Sequence, residues 1–100
     1  MQSFRPVLSD RALDDLADIY EYIASENPAA AERFVNSTTD KISNLASAGN
    51  RGVAREGIAE GLRTFPFKQR CVFFRIIDDV FHVLRVLHDR RDVTPELFEK

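Results

Sequence analysis

The segment RCVFFRIIDDVFHVLRVLH, Arg70 to His88, leaves this chain few ways to fold. Two runs rich in β-branched and aromatic residues are separated by two aspartates. That is strand composition around a two-residue turn, which predicts an antiparallel hairpin. With Asp78-Asp79 as the turn, Ile77 pairs with Val80, Ile76 with Phe81, Phe74 with Val83, and Val72 with Arg85. One face then carries Val72, Phe74, Ile76, Phe81, Val83, Arg85 and Leu87. The other carries Cys71, Phe73, Arg75, Ile77, Val80, His82, Leu84, Val86 and His88. Both faces are largely apolar. One has to pack on the rest of the chain, and the other is too greasy to leave in water, which marks a partner site.

The first half supplies the packing layer. SFRPVLS reads as a short strand, and Pro6 restricts it to an edge or a strand start. Ser9 or Asp10 caps a helix whose early turns hold Asp14, Asp15 and Asp18, as the helix dipole favours. Leu13, Leu16, Ile19, Tyr20 and Ile23 recur at helical spacing and define its apolar face, which assigns Tyr20 to the core and Tyr22 to the surface. Asn27 caps a second helix with Pro28 in its first turn. Its stripe is Ala31, Phe34, Val35, Thr38, Ile42 and Leu45, and Gly49 is placed to end it. So short a joint makes an antiparallel helical hairpin. Ser47 to Gly61 holds all four glycines and little periodicity, and reads as a mobile loop. LRTFPF adds a third strand. TPELFEK reads as a short C-terminal helical turn whose Phe98 can fold back on the second sheet face. The expected fold is α+β, in the order β-α-α-β-β-β, with the helical hairpin on a small, mostly antiparallel sheet.

Residues 1–100 are expected to form a single domain. The lone Cys71 excludes an internal disulfide and fits a reducing compartment. No signal peptide is visible, since Arg5, Asp10 and Arg11 interrupt the N-terminus. No apolar run approaches the ~20 residues that span a bilayer. These features predict a cytoplasmic protein that does not bind membranes. The net charge of −2 argues against non-specific nucleic-acid binding, and no direct sequence-specific nucleic-acid binding is expected. The halves differ: residues 1–50 hold four Lys/Arg and eight Asp/Glu, and residues 51–100 hold ten and eight. Most of these cations are arginines, which suit bidentate contacts with carboxylates or phosphates.

Little in the sequence points to catalysis. His82 and His88 lie six residues apart on one strand, roughly 20 Å, too far to share a metal ion. No phosphate-binding loop or nucleophile motif occurs, so neither metal nor cofactor is expected. His88 is the one candidate acid–base group. Asp89 and Asp92 flank it, and Arg90 and Arg91 could hold an anion, a set that a metal-free ribonuclease would need. The alternative is that His88 ends the last strand and bonds a neighbouring backbone group or carboxylate. Arg63, Arg75 and Arg85 are either internal salt-bridge partners or contacts for an acidic partner.

The stretch LSDRALDDLADIYEYIASENPAAAERF, then GLR, then FFRIIDDVFHVLRVLHDRRD resembles the ParE toxins of bacterial type II toxin–antitoxin modules, in the ParE/RelE superfamily. The resemblance spans about residues 4–93. It rests on L-x-D-I-x-x-Y-I followed by N-P-x-A-A, on G-L-R, and on V-L-H-x-x-R-D, in that order. Where the family often has a proline after the second helix, this chain reads Ala48-Gly49. The resemblance implies a toxin that is not an enzyme, poisons DNA gyrase, and is neutralised by a ParD-like antitoxin wrapped around it. It implies antitoxin or target contacts on the second face and its rim: Arg63, Phe73, Arg75, Leu84, Arg85, Val86, His88, Arg90, Arg91 and Phe98. The RelE branch cuts messenger RNA at the ribosome. That alternative would rest on His88, Arg63 and Arg85, in a chain with only three lysines and no tyrosine after Tyr22.

Overall fold

The computed structural model describes residues 2–99. Its elements are β1 (Arg5–Leu8), α1 (Asp10–Ala24), α2 (Pro28–Ser47), β2 (Val53–Ala54), β3 (Arg63–Phe67), β4 (Arg70–Ile77) and β5 (Val80–His88), followed by a 3-10 turn at Pro95–Phe98. The strands form one sheet in the order β1-β5-β4-β3-β2, with β1 parallel to β5 and the other pairs antiparallel. The expected α+β architecture is therefore present, extended by a two-residue strand within the segment read as a loop.

Local chemistry sets the helix ends. Ser9 Oγ accepts the Ala12 N–H at 3.0 Å and starts α1. Asn27 Oδ1 accepts the Ala30 N–H at 3.0 Å and starts α2 at Pro28. Gly49 takes φ +70 just past α2, where its N–H bonds to the Ala46 carbonyl. Asp78 and Asp79 make the hairpin turn with φ of 49 and 65. That is the doubly left-handed turn whose twist matches the flanking strands.

The main core lies between the helices and one sheet face. Leu16 and Ile42 from the helices meet Phe65, Val72, Phe74, Phe81 and Val83 from the sheet. The Phe74 and Phe81 rings stack with centroids 4.0 Å apart. Burying each such ring contributes about 2–3 kcal/mol. A second cluster, built on Leu62, Phe73 and Leu87, occupies the opposite face.

Three expectations need correction. The hairpin register shifts between Phe73 and Phe74, so Phe74 still faces Val83 but Val72 faces Val86 instead of Arg85. Leu84 is the extra residue of a β-bulge. The slip swaps every side chain beyond it: Val86 moves into the helix-side core and Leu87 into the opposite cluster. Leu13 was placed on the apolar face of the first helix and Tyr20 in the core, but they are 51% and 39% exposed. Finally, the start of the Ser47–Gly61 stretch is tied down. Arg51 Nη2 donates to Gln2 Oε1 at 2.8 Å, its guanidinium lies over the Phe4 ring, and Val53–Ala54 pairs with β3.

Candidate functional site

The second sheet face is largely covered by the chain itself. Ile58 and Ala59 pack on it from the loop, and Val93, Leu97 and Phe98 from the C-terminal segment. The Phe98 ring tilts onto Phe73 with centroids 5.1 Å apart, as the apolar pattern of the hairpin led us to expect. Two arginines pin this cover through its backbone. Arg11 donates to the Leu97 and Glu99 carbonyls at 3.3 and 2.9 Å, and Arg85 donates to the Leu97 carbonyl at 3.1 Å.

A cavity of about 430 Å³ remains beside the cover. Leu84, Leu97 and Phe98 give it apolar walls, and Arg11, Arg75 and His82 give it cationic or hydrogen-bonding edges. Arg75 Nε is anchored on the Glu60 carbonyl at 3.0 Å, which holds the guanidinium at the cavity edge. Asp10 and Glu99 also line it, so both signs of charge surround its apolar walls.

Arg85 is occupied within the fold. Its Nε and Nη2 each lie 2.8 Å from an Asp15 oxygen, and both side chains are about one-eighth exposed. These hydrogen bonds push the guanidinium pKa up, against the cost of burial. The pair joins α1 to β5.

His88 ends β5 in register with Arg70 and is exposed. Its Nδ1 accepts the Arg90 N–H at 3.1 Å and lies 3.2 Å from Asp89. His88 and Arg91 share a rim cleft of about 240 Å³ with Arg70 and Tyr22, and Arg90 lies on the other side of His88.

The ten sequence-derived contact residues therefore separate. Phe73 and Val86 are buried at 1% and 2% exposure. Arg75, Leu84 and Phe98 gather at the cavity. His88, Arg90 and Arg91 sit on the rim. Arg63 lies on β3, its Nε bonded to the Arg51 carbonyl. The ribonuclease trio is not assembled: Arg63 pairs with Phe74 and His88 with Arg70. They stand two strands apart and about 13 Å along the sheet. Arg11 and His82 at the cavity, and Asp15 against Arg85, were missed. Arg11 and Asp15 lie four residues apart on α1, a spacing that puts both on one helix face, and this was the available signal. Among the described residues no group of three or more His, Cys, Asp or Glu is placed to hold a metal. No described helix is long and apolar enough to cross a membrane.

The family model for the ParE toxin of the parDE type II toxin–antitoxin system matches residues 7–93. The chain belongs to the ParE toxin family. Among solved structures, this ParE-family chain is similar to one described as the chromosomal ParDE TA system from P. aeruginosa. The TM-score is 0.72 at 23% identity, covering 85% of this chain and 95% of that one, a likeness of fold. No curated protein matches the ParE-family chain significantly.

Proposed function

We propose that this ParE-family chain is the toxin of a parDE-type module that stops replication by binding DNA gyrase. In this reading it performs no catalysis, and a ParD-like antitoxin neutralises it by direct binding. The observation that carries the reading is the family match across residues 7–93. The dispersal of His88, Arg63 and Arg85 supports a binding mechanism over a ribonuclease one, because acid–base chemistry needs its groups around one substrate atom.

The second-face cavity is the proposed seat for an acidic, extended stretch of the antitoxin. Arg75, Leu84 and Phe98 line it with Arg11 and His82, and Asp10 and Glu99 stand at the same cavity, so Arg75 is the cation offered to that stretch. The rim residues His88, Arg90 and Arg91 are exposed and are proposed target or antitoxin contacts. The test is to look for a short reading frame beside the gene and co-express its product with the chain. Growth arrest by the chain alone, relieved by the neighbour, is the expected result. Arg75→Glu should weaken the purified complex at least tenfold, with circular dichroism unchanged. Growth arrest that no neighbouring product relieves contradicts the antitoxin part of the proposal.

A further inference from the structure

The rim cleft between α1 and the end of β5 has a backbone donor aimed into it. β5 loses its neighbour after Val83. The Val86 N–H points away from β4, since Asp15 Oδ2 accepts it at 2.9 Å. Strand groups repeat their direction every second residue, so the His88 N–H faces the same open side. Asp89 keeps the alternation, because its N–H turns inward to the Gln69 carbonyl at 3.0 Å.

The walls around that donor are of three kinds. Arg70 and Arg91 are cationic, Asp18 is anionic, and Tyr22 presents a ring that is 78% exposed. Asp15 also borders the cleft but is held by Arg85. The Arg70 guanidinium lies over the Phe34 ring, 5.6 Å from its centroid, which fixes its position. Asp18 and Arg91 are exposed and, among the described residues, in no ion pair. A bare anion would meet Asp18 as well as the arginines. A ligand with an anion at one end, a flat ring, and an amine at the other end matches all three walls. A nucleotide has that order: phosphate for Arg70, Arg91 and the His88 N–H, a base to stack on Tyr22, and an exocyclic amine donating to Asp18. The cleft, at about 240 Å³, is smaller than pockets that enclose a drug-sized ligand, ~300–1,000 Å³, so it takes one such unit with the rest of a strand outside.

The surroundings extend a path for that strand. Lys68 sits in the β3–β4 turn and Arg90 just past β5, at the same end of the sheet. Residues 67–70 and 88–92 hold four Lys/Arg and two Asp, in a chain whose net charge is −2. One of those two, Asp89, lies 3.2 Å from His88 Nδ1. Net charge limits bulk binding, whereas a local excess of cations governs contact with a few phosphates.

We infer that this cleft seats one amine-bearing nucleotide of an unpaired DNA strand, with neighbouring phosphates along Lys68 and Arg90. This rests on the gyrase reading above, whose target works on DNA, and names what the exposed rim meets there. The test titrates the full chain into fluorescently labelled oligo-dC and oligo-dT of about ten residues, read by anisotropy, with RNA strands alongside. Oligo-dC should bind at least threefold tighter than oligo-dT, because only cytosine carries the amine. Asp18→Ala should remove that preference. Tyr22→Ala should weaken both strands at least fivefold and Arg91→Gln at least threefold, with circular dichroism unchanged. Affinity should fall about tenfold between roughly 50 and 200 mM salt. Absence of DNA binding in a chain that still stops replication overturns the seat and leaves the gyrase reading standing. Binding that ignores Tyr22→Ala and Arg91→Gln, or that polyglutamate displaces as well as DNA does, also overturns it. DNA binding with these signatures in a chain that leaves replication running supports the seat and overturns the gyrase reading. Cleavage of the RNA strand overturns both in favour of a ribonuclease.

Discussion

Asp15 of α1 grips Arg85 of β5 with both carboxylate oxygens, each at 2.8 Å, and its Oδ2 also accepts the Val86 N–H at 2.9 Å. β1 pairs with β5 only as far as Val83. Beyond that point the β5 edge has no strand beside it, and Asp15 satisfies the first backbone donor left open. The bulge at Leu84 makes this possible, since it swings Arg85 to where it reaches α1 and the C-terminal turn together. Helix, sheet and C-terminal cover meet at one ion pair.

Removing one member of this pair strands the other. Asp15→Ala leaves the Arg85 charge uncompensated, held only by the Leu97 carbonyl, and the Val86 N–H without a partner, and should cost about 3–5 kcal/mol in urea unfolding. Arg85→Met should cost less, because Asp15 keeps the Val86 bond. The double variant should fall well short of the sum, since neither charge is then left alone. Additive losses would show that the two side chains do not depend on each other.

Gly52 has φ +58, and a Cβ there would stand 2.5 Å from the Thr64 carbonyl oxygen and 2.9 Å from the Phe74 ring. Gly52→Ala adds left-handed strain to a backbone clash, about 2–4 kcal/mol together. Gly57 has open space around its position. Gly57→Ala should therefore change stability by less than about 1 kcal/mol. Calorimetric melting of both variants tests the contrast, and equal shifts would contradict the loop packing.

Phe98 is half-buried on Phe73. Phe98→Ala should cost about 1–2 kcal/mol, less than a fully buried phenylalanine. It should also open the second face, so a hydrophobic dye should bind the folded variant more brightly than the parent. An unchanged dye signal would mean that Phe98 does not cover this face.

Burial pushes the Cys71 thiol above its ordinary value of 9.0, nearby Asp89 adds to the rise, and Arg55 opposes it. The thiolate therefore forms later in the folded chain than in the unfolded one. The sign for stability follows: folding is favoured while the thiol is protonated, and that contribution fades as pH rises through the folded pKa. Alkylation rate against pH should show a midpoint above 9.0, moving down in Asp89→Asn and up in Arg55→Gln. A midpoint below 9.0 would contradict the described environment.

Much of the architecture was legible because local signals agreed. Ser9, Asn27-Pro28 and Gly49 marked the helix ends, and Asp78-Asp79 marked the hairpin. The bulge was not legible. Along VFHVLRVLH apolar residues occupy both parities, so an inserted Leu84 leaves no break in the alternation. Every assignment past it, Val86 and Leu87 included, then fell on the wrong face. Helical periodicity placed Leu13 and Tyr20 on the apolar stripe but could not tell a buried stripe from one left open. The Asp15–Arg85 pair spans 70 positions, and the spacing that sets Arg11 and Asp15 on one face of α1 does not say which residue Asp15 meets. The ParE pattern identified the family, while the grouping of Arg75, Leu84 and Phe98 at one cavity required the fold.

The most direct test of the proposed function is made in cells carrying an inducible copy of the chain without antitoxin. Labelled thymidine and labelled methionine incorporation are followed over the first minutes of induction. A gyrase poison stops thymidine incorporation while methionine incorporation continues, and His88→Ala leaves that pattern unchanged. Early collapse of methionine incorporation, abolished by His88→Ala, would contradict the account and establish a ribonuclease in its place.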